Sequence, residues 1–256
     1  MKTIIVTGAS SGIGKVFCEN LQKYFQFDEL IIIARRKENL EKLQESLPFK
    51  VKALPLDLTN QQSFVELSNF LSQEKREVQL LINCSGFGKF GKSTDVDLQT
   101  NLNMIDLNCK AIVSMCQIVL PFMVEGAIII NIASVAALQP IPYIGVYGAS
   151  KAFVLSYSRA LNRELKSRKI SVTAVCPFWT KTEFFDHAVD KSKDAVVKKY
   201  VAMYNPQDIV KRAIRDSLKR KDVSFYGFKA RGQALLVKIL PHSLVMNVWQ
   251  NQQKLK

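Results

Sequence analysis

Three side chains in this sequence could carry a reaction between them: Ser134, Tyr147 and Lys151. Tyr147 and Lys151 are four residues apart, so on a helix they share a face. An ammonium beside a phenol stabilises the phenolate and draws the tyrosine pKa toward working pH, which would make Tyr147 a usable acid or base. Tyr-x3-Lys is a weak signal in a lysine-rich chain with 7 tyrosines, but this is its only match here. It also lies a short loop downstream of Ser134, a serine at the expected end of an apolar strand, residues 127–133. Asn108 stands among apolar neighbours in a long helical stretch, residues 98–119.

Such a set needs elements to hold it and something to react with. The run Thr7-Gly8-Ala9-Ser10-Ser11-Gly12-Ile13-Gly14 follows a short buried strand (residues 2–6) and precedes helical spacing over 15–25. Glycines at a strand-to-helix turn let a pyrophosphate approach the main chain, and the amides of the helix N-terminus face the anion. Gly-x3-Gly-x-Gly differs from the better known Gly-x-Gly-x-x-Gly and needs support from further along the chain. A second apolar run, residues 29–34, ends in Arg35 and Arg36. In dinucleotide sites an acidic residue near there grips the ribose hydroxyls, whereas arginine accommodates a 2′-phosphate, so this pair favours NADP over NAD.

Strand-like segments at 51–58, 78–86, 127–133, 170–176 and 223–227 alternate with helical ones at 37–47, 60–74, 98–119, 147–168 and 206–220. This order predicts an α/β chain with a doubly wound parallel sheet of about seven strands and right-handed crossovers. At 256 residues and 48% hydrophobic, one domain spanning 1–256 is expected. Residues 178–205 break the alternation with Phe178, Trp179, Phe184, Phe185, Tyr200 and Tyr204 among lysines, and read either as a lid over a pocket or as a surface excursion.

The net charge of +14 favours anionic ligands, yet no basic stripe interleaved with aromatics precedes the last third, so nucleic acid is not expected. Five unpaired-looking cysteines argue for reduced thiols, and His187 and His242 are too far apart in sequence to suggest a metal site. Apolar runs short of a membrane span and a strand at the very N-terminus lead to the expectation of a cytoplasmic protein.

Together these residues resemble the short-chain dehydrogenase/reductase family over residues 1–227. The resemblance implies a Rossmann-like fold in which Gly8, Ser10, Ser11, Gly12, Ile13 and Gly14 hold the cofactor with Arg35 and Arg36. Asp57 looks like the adenine contact, and Asn83-Cys84-Ser85-Gly86 like the family's Asn-Asn-Ala-Gly strand end. Pro177, Thr180 and Thr182 match its Pro-Gly-x-x-x-Thr segment beside the nicotinamide, except that Phe178 replaces the glycine. Asn108, Ser134, Tyr147 and Lys151 fall in the order of its catalytic four. The implied chemistry is hydride exchange between NADPH and a carbonyl or alcohol. Tyr147 would donate the proton and Ser134 position the oxygen, while Lys151 would bind the nicotinamide ribose and Asn108 hold a water leading to solvent. The family also implies a homodimer or homotetramer. The contrasting reading, suggested by Phe178, is a catalytically silent NADP(H)-binding regulator.

The tail is basic and amphipathic from about residue 230 to 256. No acidic residue follows Val223, and Leu236, Ile239, Leu240, Leu244, Val245, Val248 and Trp249 recur at helical spacing, with Pro241 opening or kinking a helix. Such a segment either packs on the core or a sister subunit, or lies on an anionic membrane or an acyl chain.

Overall fold

The structure is a computed structural model that describes residues 1–189 and 196–255, and the backbone alone at His187. Part of the expected lid and Lys256 therefore lie outside the described residues. Seven strands, β1 (Lys2–Thr7), β2 (Glu29–Ile33), β3 (Val51–Leu54), β4 (Glu77–Asn83), β5 (Met123–Ile132), β6 (Ser171–Val175) and β7 (Val223–Ser224), form one parallel sheet ordered β3-β2-β1-β4-β5-β6-β7. Alternate residues feed the two faces: Ile5, Ile31, Leu81, Ile129 and Val172 go to one core, and Ile4, Val6, Ile32, Ile82 and Ile130 to the other.

The first core is covered by α3 (Gln61–Ser72), α5 (Ala111–Val119) and α6 (Gly145–Glu164), and α4 (Leu98–Ile105) packs against α6. The second is covered by α1 (Gly12–Asn20), α2 (Lys37–Ser46) and α8 (Pro206–Leu218). A short α7 (Phe184–Ala188) sits in the lid segment, and α9 (Phe228–Leu236) and α10 (His242–Gln253) follow β7. Strand order reverses between β1 and β4, and at that switch point ligands bind beyond the strand ends.

Three expectations change. The third strand stops at Leu54, because Pro55 lacks the N–H that a ladder needs, although Leu56 and Leu58 stay buried. The last strand shrinks to two residues. The expected absence of any membrane-length run is also corrected: Leu98–Phe122 is a continuous helical stretch long and apolar enough to span one. Its buried side, however, including Met115 and Cys116, is part of the core. That stretch is interrupted by a π-helical turn at Asp106–Lys110, the kind of local widening that often marks a functional position.

Candidate active site

β1 delivers the glycine turn. Gly8 has φ +65°, and a Cβ on it would stand 2.7 Å from the carbonyl carbon of Cys84, so a side chain would be strained both by its backbone angle and by the end of β4. Thr7 fastens the two loops together, its Oγ1 accepting from the N–H groups of Cys84 (3.1 Å) and Ser85 (3.2 Å). Ser11 is the N-cap of α1 but its side chain makes no cap hydrogen bond, and the first turn holds no carboxylate. The N-terminal amides of α1 thus keep their capacity for an anion.

The π turn places Asn108 beneath the loop that follows β4. Fully buried, Asn108 donates from Nδ2 to the Phe87 carbonyl (2.9 Å) and the Ser150 hydroxyl (3.0 Å), and its Oδ1 accepts from the Phe87 N–H (3.1 Å). These contacts make it a clamp on the loop and on α6, alongside any water it holds. Gly86 is necessary for this approach, since a Cβ there would lie 2.8 Å from Asn108 Oδ1 and 3.3 Å from Lys151 Nζ.

α6 presents Tyr147 and Lys151 on one face, as four-residue spacing requires. Lys151 is 4% exposed; its Nζ donates to the Ile132 carbonyl at the end of β5 (2.8 Å) and lies 5.8 Å from the centre of the Tyr147 ring. Tyr147 shares a hydrogen bond with Ser134, which also accepts from the Ala136 N–H (3.1 Å). The ring is wedged between Phe90 and Phe184, with centroids 6.1 and 5.4 Å away.

The expected acidic phenol is not what this pair produces by itself. Burial pushes the Tyr147 phenol up to about 12, opposed by the Ser134 hydrogen bond, and burial draws the Lys151 ammonium down to about 8. Desolvation disfavours both charged forms and outweighs any attraction between amine and phenol. At neutral pH the phenol is therefore a held proton, the form a proton donor requires.

On the far side of the turn, Arg36 reaches Ser10 Oγ (3.4 Å from Nε and 3.3 Å from Nη2) and pairs with Glu183 of the lid segment at 2.9 Å. Arg35 lies 3.9 Å from Asp57. One cavity of about 1040 Å³ joins these parts, lined by the glycine turn, Arg35 and Arg36, Ser134, Tyr147 and Lys151, and Pro177, Thr180 and Thr182. Phe178 lines it too, held edge-on by Trp179 and Tyr204.

Two residues expected at the cofactor also make hydrogen bonds within the chain. Asp57 accepts from the Thr59 N–H (2.9 Å) and hydroxyl (2.8 Å), while its neighbours Leu56 and Leu58 line the cavity. Asn83 is buried and donates to Asn131 Oδ1 (2.9 Å), which continues through Asn131 Nδ2 to the Ser158 hydroxyl (2.9 Å). This relay ties β4, β5 and α6 together behind the reactive residues. Asn131 and Ser158 escaped sequence reading, as did Glu183. An asparagine inside the apolar run Ile-Ile-Ile-Asn-Ile was the available signal for Asn131.

The short chain dehydrogenase family model matches residues 2–193. A sulfoacetaldehyde reductase of Chromohalobacter salexigens is 35% identical over 187 residues, 71% of this chain and 73% of that protein. The human very-long-chain 3-oxoacyl-CoA reductase is 26% identical over 255 residues, 95% of this chain and 74% of that one. A solved short-chain dehydrogenase from Sphingobium yanoikuyae in complex with NADPH is similar in structure at TM-score 0.77 and 28% identity, covering 95% of this chain and 98% of that one. With its glycine turn, its parallel sheet and its serine, tyrosine and lysine on one cavity, this chain belongs to the short-chain dehydrogenase/reductase family. It is an oxidoreductase that uses a nicotinamide dinucleotide and acts on a small molecule.

Proposed function

We propose that the protein is an NADPH-dependent reductase of hydrophobic ketones or 3-oxoacyl compounds. The observation that carries this reading is the lining of one cavity, which brings Arg35 and Arg36, Tyr147, and Leu236, Leu240, Leu244 and Val248 of the tail into the same space. The similar proteins differ too much in substrate, a small sulfonated aldehyde against a very long acyl chain, for likeness alone to choose. An apolar wall with few polar groups selects an apolar partner.

The residues fit the dinucleotide. Uncapped amides at α1 and the glycine turn suit its pyrophosphate, and Arg36, already against Ser10, suits a 2′-phosphate. Bound there, the cofactor supplies the hydride; orientation and the proton come from the protein. Ser134 hydrogen-bonds the carbonyl oxygen beside Tyr147, whose phenol donates its proton as the alcohol forms. Lys151, a cation below about pH 8, offsets the charge left on the phenolate. Asn108 keeps the loop and α6 in register, and we assign Thr180 and Thr182 to the nicotinamide side.

We further propose a homodimer or homotetramer in a reducing cytoplasm, supported by exposed Leu98, Leu102 and Ile105 along one helix face and by five free thiols. The silent-regulator reading is set aside because Ser134, Tyr147 and Lys151 line the cavity together; Phe178 lines it as well, packed edge-on against Trp179 and Tyr204. NADPH oxidation against sugars, short aldehydes, steroids, aromatic ketones and 3-oxoacyl thioesters tests the proposal. Turnover should concentrate on the apolar carbonyls and prefer NADPH to NADH. Turnover confined to sugars or short charged aldehydes, or equal use of NADH, would refute it.

A further inference from the structure

The tail carries apolar surface that nothing among the described residues covers. Of the 15 large hydrophobic side chains left exposed among the described residues, 7 lie between residues 228 and 248: Phe228 (79%), Leu235, Leu236, Ile239 (73%), Leu240, Leu244 and Val248. The segment is nonetheless anchored. Trp249 donates from its indole N–H to the Pro142 carbonyl (3.0 Å) and stacks on Trp179. Buried Gln253 accepts from the N–H groups of Lys198 and Lys199 (2.8 and 2.9 Å) and donates to the Lys199 carbonyl (3.0 Å). A firmly held pair of helices that turns leucines outward is a built surface, and apolar patches of this kind mark interaction sites.

We propose that α9 and α10 dock on an anionic lipid bilayer, so that the cavity opens into the membrane. Two observations select this occupant. The first is continuity: Leu236, Leu240, Leu244 and Val248 are exposed and also line the cavity that reaches Tyr147, so the patch is the cavity's mouth. The second is charge. From Val223 onward the chain has no carboxylate side chain, and Arg231, Lys238 and Lys254 are exposed. A second copy seated on this face through its own tail would bring the same basic, carboxylate-free segment, whereas an anionic leaflet brings the opposite sign. Leucines sink into the acyl boundary while lysine and arginine meet the headgroups.

Bilayer docking stands on the surface alone; that the bilayer delivers the substrate rests on the proposed reductase of apolar carbonyls. Leu235 and Ile239 are exposed and do not line the cavity, so changing them spares the site. Co-sedimentation with phosphatidylglycerol-rich vesicles, with pure phosphatidylcholine vesicles and with no lipid tests the inference. The wild-type protein should pellet with the anionic vesicles, more weakly with the neutral ones and progressively less as salt rises. The Leu235→Ser/Ile239→Ser variant should bind the anionic vesicles on the order of tenfold or more less tightly, while keeping its melting temperature and its NADPH affinity.

Failure of the wild type to pellet, equal binding to both lipids, or unaltered binding by the variant would overturn docking. So would self-association of the wild type, abolished in the variant, in place of vesicle binding. Pelleting requires no turnover, so a protein that binds vesicles but reduces no apolar ketone would refute the proposed function and leave docking standing. If both hold, the variant should raise the KM for a long-chain ketone dissolved in vesicles without changing the kcat for a water-soluble one.

Discussion

The two ends of the cavity are built differently. At the cofactor end, polar groups are tied to one another and to backbone: Thr7 to two amides, Asn108 to both sides of Phe87, Asn83 to Asn131 and on to Ser158. At the substrate end, contacts are aromatic and apolar, and the wall that completes the pocket is half in solvent. A cofactor of constant shape rewards a rigid cradle, because misplacing a hydride donor by an ångström is costly. An apolar substrate requires area more than direction, and leucines on two terminal helices provide it.

The sharpest break in this comparison falls where the two ends meet. Replacing Tyr147 by Phe should lower the kcat for reduction by about 10²–10⁴-fold while leaving NADPH binding near wild type, as read from steady-state oxidation and fluorescence titration. Retained activity would remove the proton donor from the scheme.

Next comes a matched pair of glycines. Gly8→Ala at the rigid end forces a side chain into a positive-φ position against Cys84 and should cost about 2 kcal/mol or more, several degrees of Tm, with loss of cofactor affinity. Gly232→Ala in α9 meets nothing within 4 Å and should stabilise by up to about 1 kcal/mol through helix propensity. Thermal melts of the two variants compare the ends directly, and equal effects would refute the contrast.

A third prediction uses pH. Lys151 loses its proton at about pH 8 in the fold but near its ordinary value of 10.5 when unfolded. Between these values the unfolded chain holds more protons, so stability rises with pH, and below pH 8 the buried cation costs on the order of 3 kcal/mol. Lys151→Met should therefore melt above wild type at pH 7 and lose that advantage by pH 10.5, although it is inactive. Reductive kcat/KM of the wild type should fall as pH rises through about 8, because the cation that offsets the phenolate is lost.

The smallest effect sits on the ion pair that spans the cleft. Glu183→Gln releases Arg36, and for a half-exposed pair the KM for NADPH should drop by only about two- to fivefold, with NADH unaffected. A change shared by both cofactors would mean that Glu183 positions the lid segment rather than competing for Arg36.

Much of the cofactor end was legible in the chain, because strand-to-helix turns and helical spacing are local properties. Gly8 to Gly14, the pair Tyr147 and Lys151, and Ser134 at a strand end could be located from neighbours a few residues away. The substrate end resisted because its wall is assembled from 178–185 and 228–253, whose packing depends on contacts such as Trp249 with Pro142 and Gln253 with Lys198. Amphipathicity told that the tail had two faces, without telling which would be covered.

The sequence by itself determined the α/β order, the glycine turn before α1 and the shared helix face of Tyr147 and Lys151, since each is encoded by residue type and short-range periodicity. Only the tertiary structure decided the burial that pushes the Tyr147 phenol up and draws the Lys151 ammonium down, the relay from Asn83 through Asn131 to Ser158, and the apolar mouth of the cavity. All three depend on how distant segments meet, which residue type and short-range periodicity do not encode.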